Sequence, residues 1–432
     1  MTSETESDFC ETLEWSRIID LTQDEARSIP GKQNLADDYY PRNWAPDLQV
    51  ARLMQQETQE MMGLLDRDAL WGPMTELADP EEILERLDKG AVLELSELGV
   101  IRGWLYAIDS WCQIPREEIR GERFKKSLLL LPDPRDILRL IERVLTPEGE
   151  LSEKSSARYG TLSSEIRHLK KEMGQLMERL MKTYAAEGLL QESFTDVRDG
   201  RYVLPVKISN QNSIDGIIYE ASASRQTVFI EPREVAELNN RLSQKKNELI
   251  QEVFVILEGV SRTLQPFTSE IRRGYSILGH WDSVQAKARI GQRYSGKPIR
   301  VTEERSFSMK QTAHPLLWWT MHTSSIIRND IEFGYPGRTL LITGPNTGGK
   351  TVLLKTLGLA GIFARTGFLF PASDIPVVPF FDSFFVDVGD SQSIEENLSS
   401  FSGHILRFKQ ILQGLSKMSL ILLDELNSAT DP

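Results

Sequence analysis

Thr339-Leu340-Leu341-Ile342-Thr343-Gly344-Pro345-Asn346-Thr347-Gly348-Gly349-Lys350-Thr351 decides how the second half of the chain is read. An apolar run gives way to a glycine-rich turn, and the turn opens an amphipathic helix marked by Val352, Leu353 and Leu357. Continuous apolar runs of this kind form strands of parallel sheets covered on both faces. Thr339–Thr343 is therefore expected as such a strand. The glycines let backbone N–H groups turn inward around phosphate oxygens, and the helix N-terminus adds positive potential there. In this pattern Gly344, Pro345, Asn346, Thr347, Gly348 and Gly349 form the cradle. Lys350 reaches the β- and γ-phosphates, and the Thr351 hydroxyl is a Mg²⁺ ligand. The expected ligands are ATP and Mg²⁺.

Downstream, Leu420-Ile421-Leu422-Leu423-Asp424-Glu425 reads as a buried strand ending in two carboxylates. Asp424 is suited to hold Mg²⁺ through its water shell, and Glu425 to polarise an attacking water. Phe384 to Val388 reads as another strand of the same sheet. Alternating strands and helices here indicate an α/β domain. Between the strands, Ser399, Ser400 and Ser402 precede a helix carrying Ile405, Leu406, Phe408, Ile411 and Leu412. Hydroxyls and N–H groups at a helix start bind anions, although alone this is an ordinary helix cap. His314-Pro315 reads as structural. Phe9-Cys10-Glu11 and Phe229-Ile230-Glu231 share a spacing able to wedge a base step, but a match this short is assigned no function.

Working back toward the N-terminus, Leu162, Ile166, Leu169, Met173, Leu176 and Leu180 recur at alternating spacings of four and three. That places a thin apolar stripe on a long, otherwise charged helix. Arg201–Lys207, Gly216–Tyr219 and Thr227–Ile230 are β-branched and aromatic runs separated by turn residues, as in a small antiparallel sheet. Pro205 argues for an edge position for its strand. A second long helix follows Pro232, with Val235, Leu238, Leu242, Leu249, Val253, Ile256 and Val260 on one stripe and Lys245 in one seat. Pro266 is expected to kink or break it. Glu11 to about Ile141 reads mostly helical, with Pro132 and Pro134 as punctuation.

The expected fold class is α+β and multidomain. Residues 1–150 form a helical core. Residues 151–290 form long, coiled-coil-like helices with a small antiparallel sheet at about 200–231. Residues 291–432 form a P-loop ATPase domain.

A chain of 432 residues is too long for one ordinary core. Its net charge of −13 argues against an overall basic nucleic-acid footprint but leaves room for a local one. Two cysteines, Cys10 and Cys112, make no disulfide framework and fit a reducing compartment. No apolar run reaches membrane-spanning length, and the acidic start shows no secretory signal. A cytoplasmic protein with no membrane partner is expected.

TLLITGPNTGGKTVLLKTLGL, GDSQSIEENLSSFSGHI and LILLDELNSATDP together resemble the MutS family of ATPases. VRDGRYVLPVK and GIIYEASASRQTVFIEPREVAELNNRL are similar to its second bacterial subfamily, and the likeness runs from about Thr12 to the last residue. The resemblance implies a homodimer through the ATPase domains, each ATP held by one subunit's phosphate loop and the other's signature helix start. Ser399, Ser400 and Phe401 occupy the signature positions. It implies that residues 151–290 are lever and clamp helices, that the ATPase domain is of ABC type and incomplete at its C-terminus, and that ATP drives movement of the clamp on branched or mismatched DNA, in repair and suppression of recombination, or on stalled collided ribosomes. With core-like sequence from about residue 12, no mismatch-recognition domain is expected. Asn427 and Ala429 depart from the family's glycines in that stretch. The family's switch histidine, dimerisation helices and Smr nuclease domain have no counterpart here, so ATP binding is expected more firmly than turnover, and no nuclease activity. The alternative is a structural cohesion-type ATPase that bridges partners, with ATP controlling only dimerisation. Such arms would be longer and unbroken by a residue like Pro266.

Overall fold

The computed structural model describes residues 9–65, 77–119, 121–192, 194–222, 226–334, 339–345, 348–388, 408–409 and 411–424. The chain divides into two compact units. One gathers Met1–Asp79, Gly103–Pro134 and Ser269–Pro432; the other gathers Pro80–Arg102 and Arg135–Thr268.

The first segments supply helices α1 (Trp15–Gln23), α2 (Ile29–Asp37), α3 (Leu48–Leu65), α4 (Glu81–Asp88), α5 (Leu95–Cys112), α6 (Glu122–Leu128) and α7 (Arg135–Val144). Within the second unit, α8 (Ala157–Ala186) and α9 (Arg233–Leu264) pack on a four-stranded antiparallel sheet of β1 (Asp196–Arg198), β2 (Arg201–Lys207), β3 (Gly216–Ala221) and β4 (Thr227–Pro232). The strand order is β1-β2-β4-β3. Helix α8 buries Leu162, Ile166, Leu169, Met173 and Met177. The last four meet Leu204 and Val206 of β2, Val228 and Ile230 of β4, and Val235, Leu238 and Leu242 of α9. The expected stripes thus supply this core from Ile166 to Met173 and from Val235 to Leu242, with Leu176, Leu180 and Leu249 at its margin. Lys245 keeps its seat because Glu165 of α8 meets its ammonium at 2.9 Å. Helix α9 stops at Leu264, and Pro266 lies in a one-turn 3₁₀ segment, Gln265–Phe267, before α10 (Thr268–Arg293).

Pro205 corrects the expectation of an edge strand: β2 lies inside the sheet. Pairing on one side passes from β1, which covers β2 only as far as Val203, to the segment beyond α8, whose Gln191 N–H donates to Pro205 O at 3.0 Å. At that position the strand needs only an acceptor, so the missing N–H costs nothing there.

The first unit continues with α10, β5 (Arg300–Thr302), β6 (Phe307–Thr312), the short helix α11 (Leu317–Thr320), β7 (Asn329–Phe333), α12 (Lys350–Thr366), β8 (Val377–Pro379), β9 (Ser383–Asp387) and β10 (Ser419–Leu423). Strands β5, β8, β6 and β7 make a mixed sheet in that order, and β9 pairs with β10 in parallel. The main core joins Leu13, Trp15 and Trp44 to Leu357, Phe363 and Phe368 around α12 and to Phe384, Leu420 and Leu422 of the parallel pair. Asp282 of α10 accepts from Ser28 N at 2.7 Å and Ser28 Oγ at 2.6 Å, anchoring the start of α2. A Cβ at Gly31 would collide with that carboxylate.

One expected strand is absent. Residues 339–343 join no sheet among the described residues, and Leu341 is 77% exposed. Apolar composition makes a strand only when a neighbour completes the ladder, and none borders these residues among those described.

Candidate functional site

Helix α12 begins where the glycine-rich turn ends. Gly349 stands before its first residue with φ +79°, a region that L side chains avoid. Gly348 N donates to Pro345 O at 2.9 Å, and Leu353 N to Gly349 O at 3.0 Å. The N–H groups of the first helical turn precede any intrahelical carbonyl and form an anion site. Lys350 Nζ folds back on Gly344 O at 3.0 Å.

The parallel pair brings a carboxylate to the same place. Asp424 N donates to Asp387 O at 2.9 Å, extending the β9–β10 pairing one residue past Leu423. The Thr351 hydroxyl then donates to Asp424 Oδ2 at 2.6 Å. Two hard oxygens thus converge at a helix N-terminus, in half-buried positions. Mg²⁺ prefers this donor type, and it keeps its remaining sites for water and phosphate oxygens. No cluster of three or more His, Cys, Asp or Glu able to hold a metal alone occurs among the described residues. Asn346, Thr347, Ser399, Ser400, Phe401 and Glu425 lie outside the described residues, as do Asn427 and Ala429.

The remaining motifs have structural explanations. Phe9 is buried, stacked on Phe384 with centroids 5.7 Å apart. Glu11 accepts from Tyr39 Oη at 2.9 Å. Phe229 is buried under the Arg198 guanidinium. Glu231 is buried between Arg201, at 2.6 Å, and Asn239, at 2.8 Å. Burial pushes the Glu231 carboxyl up, but the hydrogen bonds from Arg201 and Asn239 outweigh it and hold it below the usual range. A base wedge needs an exposed aromatic edge, and neither segment offers one. His314 is buried, which lowers its pKa to about 4.

The far end of α12 carries groups that sequence patterns did not mark. Gln55 Nε2 donates to Phe363 O at 2.6 Å and Phe368 O at 3.1 Å, while its Oε1 accepts from Ile299 N at 2.9 Å. Lys287 Nζ donates to Thr366 O at 2.8 Å and pairs with Asp38 Oδ2 at 2.7 Å. Ala45 N donates to Arg365 O at 2.9 Å, and Arg365 returns a bond to Ala45 O at 2.8 Å. These bonds occupy terminal carbonyls of the helix that opens at the glycine-rich turn. The Lys287 charge also complements the negative end of its dipole. A cleft of about 220 Å³ adjoins this end, with Asp37, Asp38, Glu57, His280 and Lys287 among its lining. Its charges pair within the wall: Glu57 accepts from Arg123 at 2.8 Å and lies 3.2 Å from His280 Nε2. Burial pushes the Asp38 carboxyl up, against the opposing pull of Lys287. The cleft is a structural polar network at the end of α12 opposite the glycine-rich turn. A polar residue buried in an amphipathic helix is the only sequence signal for Gln55 or Lys287, and it names no partner.

Comparison with known proteins gives a consistent result. Residues 340–431 match the family model of MutS domain V. The chain is similar to the protein named Endonuclease MutS2 of Lacticaseibacillus paracasei, 34% identical over 83% of this chain and 46% of that protein. Its counterpart from Carboxydothermus hydrogenoformans is 34% identical over 98% of this chain and 53% of that protein. The one from Leuconostoc mesenteroides subsp. mesenteroides is 32% identical over 98% and 52%. The chain spans about half the length of these curated relatives.

Proposed function

The chain is a MutS-family protein of the MutS2 type, and from that premise we propose that it is an ATP-binding and ATP-hydrolysing clamp acting on branched DNA. The observation that carries this reading is the contact between Thr351 Oγ1 and Asp424 Oδ2 at the glycine-bounded start of α12. In this reading, residues 291–432 form the ATPase domain, 151–290 the lever and clamp, and 1–150 the helical core.

Each residue has a role. The backbone of Gly344–Gly349 cradles the phosphates, and Lys350 neutralises the β- and γ-phosphates. When Mg²⁺ is bound it offsets charge on the phosphate oxygens; Thr351 supplies a direct oxygen, and Asp424 holds its water shell. Glu425 polarises the attacking water. Ser399, Ser400 and Phe401 of a second copy close over the γ-phosphate, so the active species is a homodimer. Glu425→Gln should retain bound ATP.

The test has two arms. Lys350→Ala, with unchanged far-UV circular dichroism, should lose ATP binding; wild-type affinity would remove the site assignment. Binding to four-way DNA junctions and to disomes, each across a salt series, separates the DNA role from a role on stalled collided ribosomes. Disome binding without junction binding would replace DNA by the ribosome as substrate.

A further inference from the structure

Glu14, just before α1, has a φ of +58°, a left-handed conformation that side chains adopt rarely and at a cost. Its neighbours hold it there. Leu13 and Trp15 are fully buried in the core around α12. Leu13 fills the space over Gly358, where a Cβ would collide with it and with Leu422 of β10. Trp15 packs on Phe363 and Phe368. The residue pinned between them turns its carboxylate onto the same helix: Lys355 Nζ donates to Glu14 Oε2 at 3.4 Å. His314 Nε2 lies 3.9 Å from that oxygen. This nitrogen is buried and has no hydrogen-bond partner. The ring is neutral near pH 7, because burial lowers its pKa to about 4. The charge of Glu14 is therefore left to Lys355. Backbone strain that the surroundings enforce in this way clusters at functional sites.

Lys355 follows Thr351 by one helical turn and shares its face of α12. Thr351 is the residue bonded to Asp424. Side chains of a helix lean toward its N-terminus. An unrestrained lysine at 355 would lie over the turn that carries Thr351 and Asp424. Its ammonium would then compete with Mg²⁺ for the Asp424 carboxylate, since both cations seek the same oxygens. The bond to Glu14 directs it away.

We propose that Glu14 is a positioning residue of the ATP–Mg²⁺ site: it holds the Lys355 ammonium away from Asp424 and so keeps that carboxylate open to the water shell of the metal. It acts through Lys355 and touches neither nucleotide nor metal. The assignment rests on the ATP–Mg²⁺ reading proposed above and adds a residue far from that site in sequence.

The experiment titrates MgCl₂ into the full chain at fixed ATP and reads the Mg²⁺ concentration that half-saturates the gain in ATP affinity. Glu14→Gln should raise it about threefold to fivefold, the scale of one partly exposed ion pair. Glu14→Gly should raise it equally. Because glycine adopts a positive φ freely, that variant should also keep the urea midpoint of the parent or exceed it, which separates the effect from a loss of folding. Lys355→Met should leave the half-saturating concentration at or below the wild-type value. Glu14→Gln/Lys355→Met should return to that value, because the competing ammonium is gone. ATP affinity without Mg²⁺ should not weaken in either Glu14 variant. An unchanged Mg²⁺ requirement in both Glu14 variants overturns the proposal. So does a double variant that stays as impaired as Glu14→Gln, which would mean that Glu14 acts on the fold and not through Lys355. Failure of the ATP–Mg²⁺ reading itself is told apart, because it appears in the wild type as loss of ATP binding or of its Mg²⁺ dependence.

Discussion

Gly349 holds the start of α12 at φ +79° with open space where a Cβ would stand. Substitution there is opposed by backbone strain alone. Gly349→Ala should cost about 1–2 kcal/mol of stability, read by urea denaturation, and weaken ATP by tilting the N–H groups that face the phosphates. Unchanged values for both would mean that the loop tolerates another conformation. His314 gives a pH signature. Its folded pKa, about 4, lies below its ordinary value of 6.5 because the ring is buried. The unfolded chain therefore binds the extra proton first as pH falls. Stability is full above about 6.5 and declines toward 4, by up to about 3 kcal/mol. His314→Asn should flatten stability between pH 6.5 and 5 relative to the parent; an unchanged slope would show that another group carries it. At this scale the glycine-rich turn that opens α12 was legible from sequence, because its signal is local: Gly348 and Gly349 stand immediately before Lys350. The partners of Gln55 were not, since Phe363, Phe368 and Ile299 are brought to it only by the tertiary fold.

Among the elements, α12 is a rod of 17 residues fixed at both ends. Nucleotide chemistry is proposed at one end, and Gln55, Ala45 and Lys287 hold the other. Lys287→Met strands the Asp38 carboxylate in a buried site and should cost about 3–5 kcal/mol. Lys287→Met/Asp38→Asn should recover part of that loss, so the two changes are less than additive in urea melts. Strict additivity would show that the pair is not coupled. The seams of α8 and α9 were legible because amphipathic periodicity survives into the fold. Two strand-level expectations failed for one shared reason: pairing depends on neighbours. Pro205 is tolerated inside the sheet because its side of the strand changes partner there. The apolar run 339–343 joins no sheet among the described residues.

For the whole molecule, sequence blocks and spatial units differ in kind. The first unit draws on three separate stretches of chain, so Leu13 and Trp15 share a core with Phe363 and Leu422. No local pattern announces such long-range joining; buried aromatics at Trp15, Trp44 and Phe384 become partners only once the chain has folded. If ATP is shared between two copies, sedimentation should show a heavier species with ATP and Mg²⁺ than without, and Ser400→Arg should abolish it while leaving monomer affinity for ATP intact. An ATP-independent monomer would confine the site to one chain. The most direct measurement is the Mg²⁺ dependence of ATP binding in wild type, Thr351→Val and Asp424→Asn. The wild type should bind ATP more tightly when Mg²⁺ is added, and both variants should lose most of that gain while still binding ATP through Lys350. Equal Mg²⁺ enhancement in all three proteins would contradict the assignment of Thr351 and Asp424 to the ATP–Mg²⁺ site.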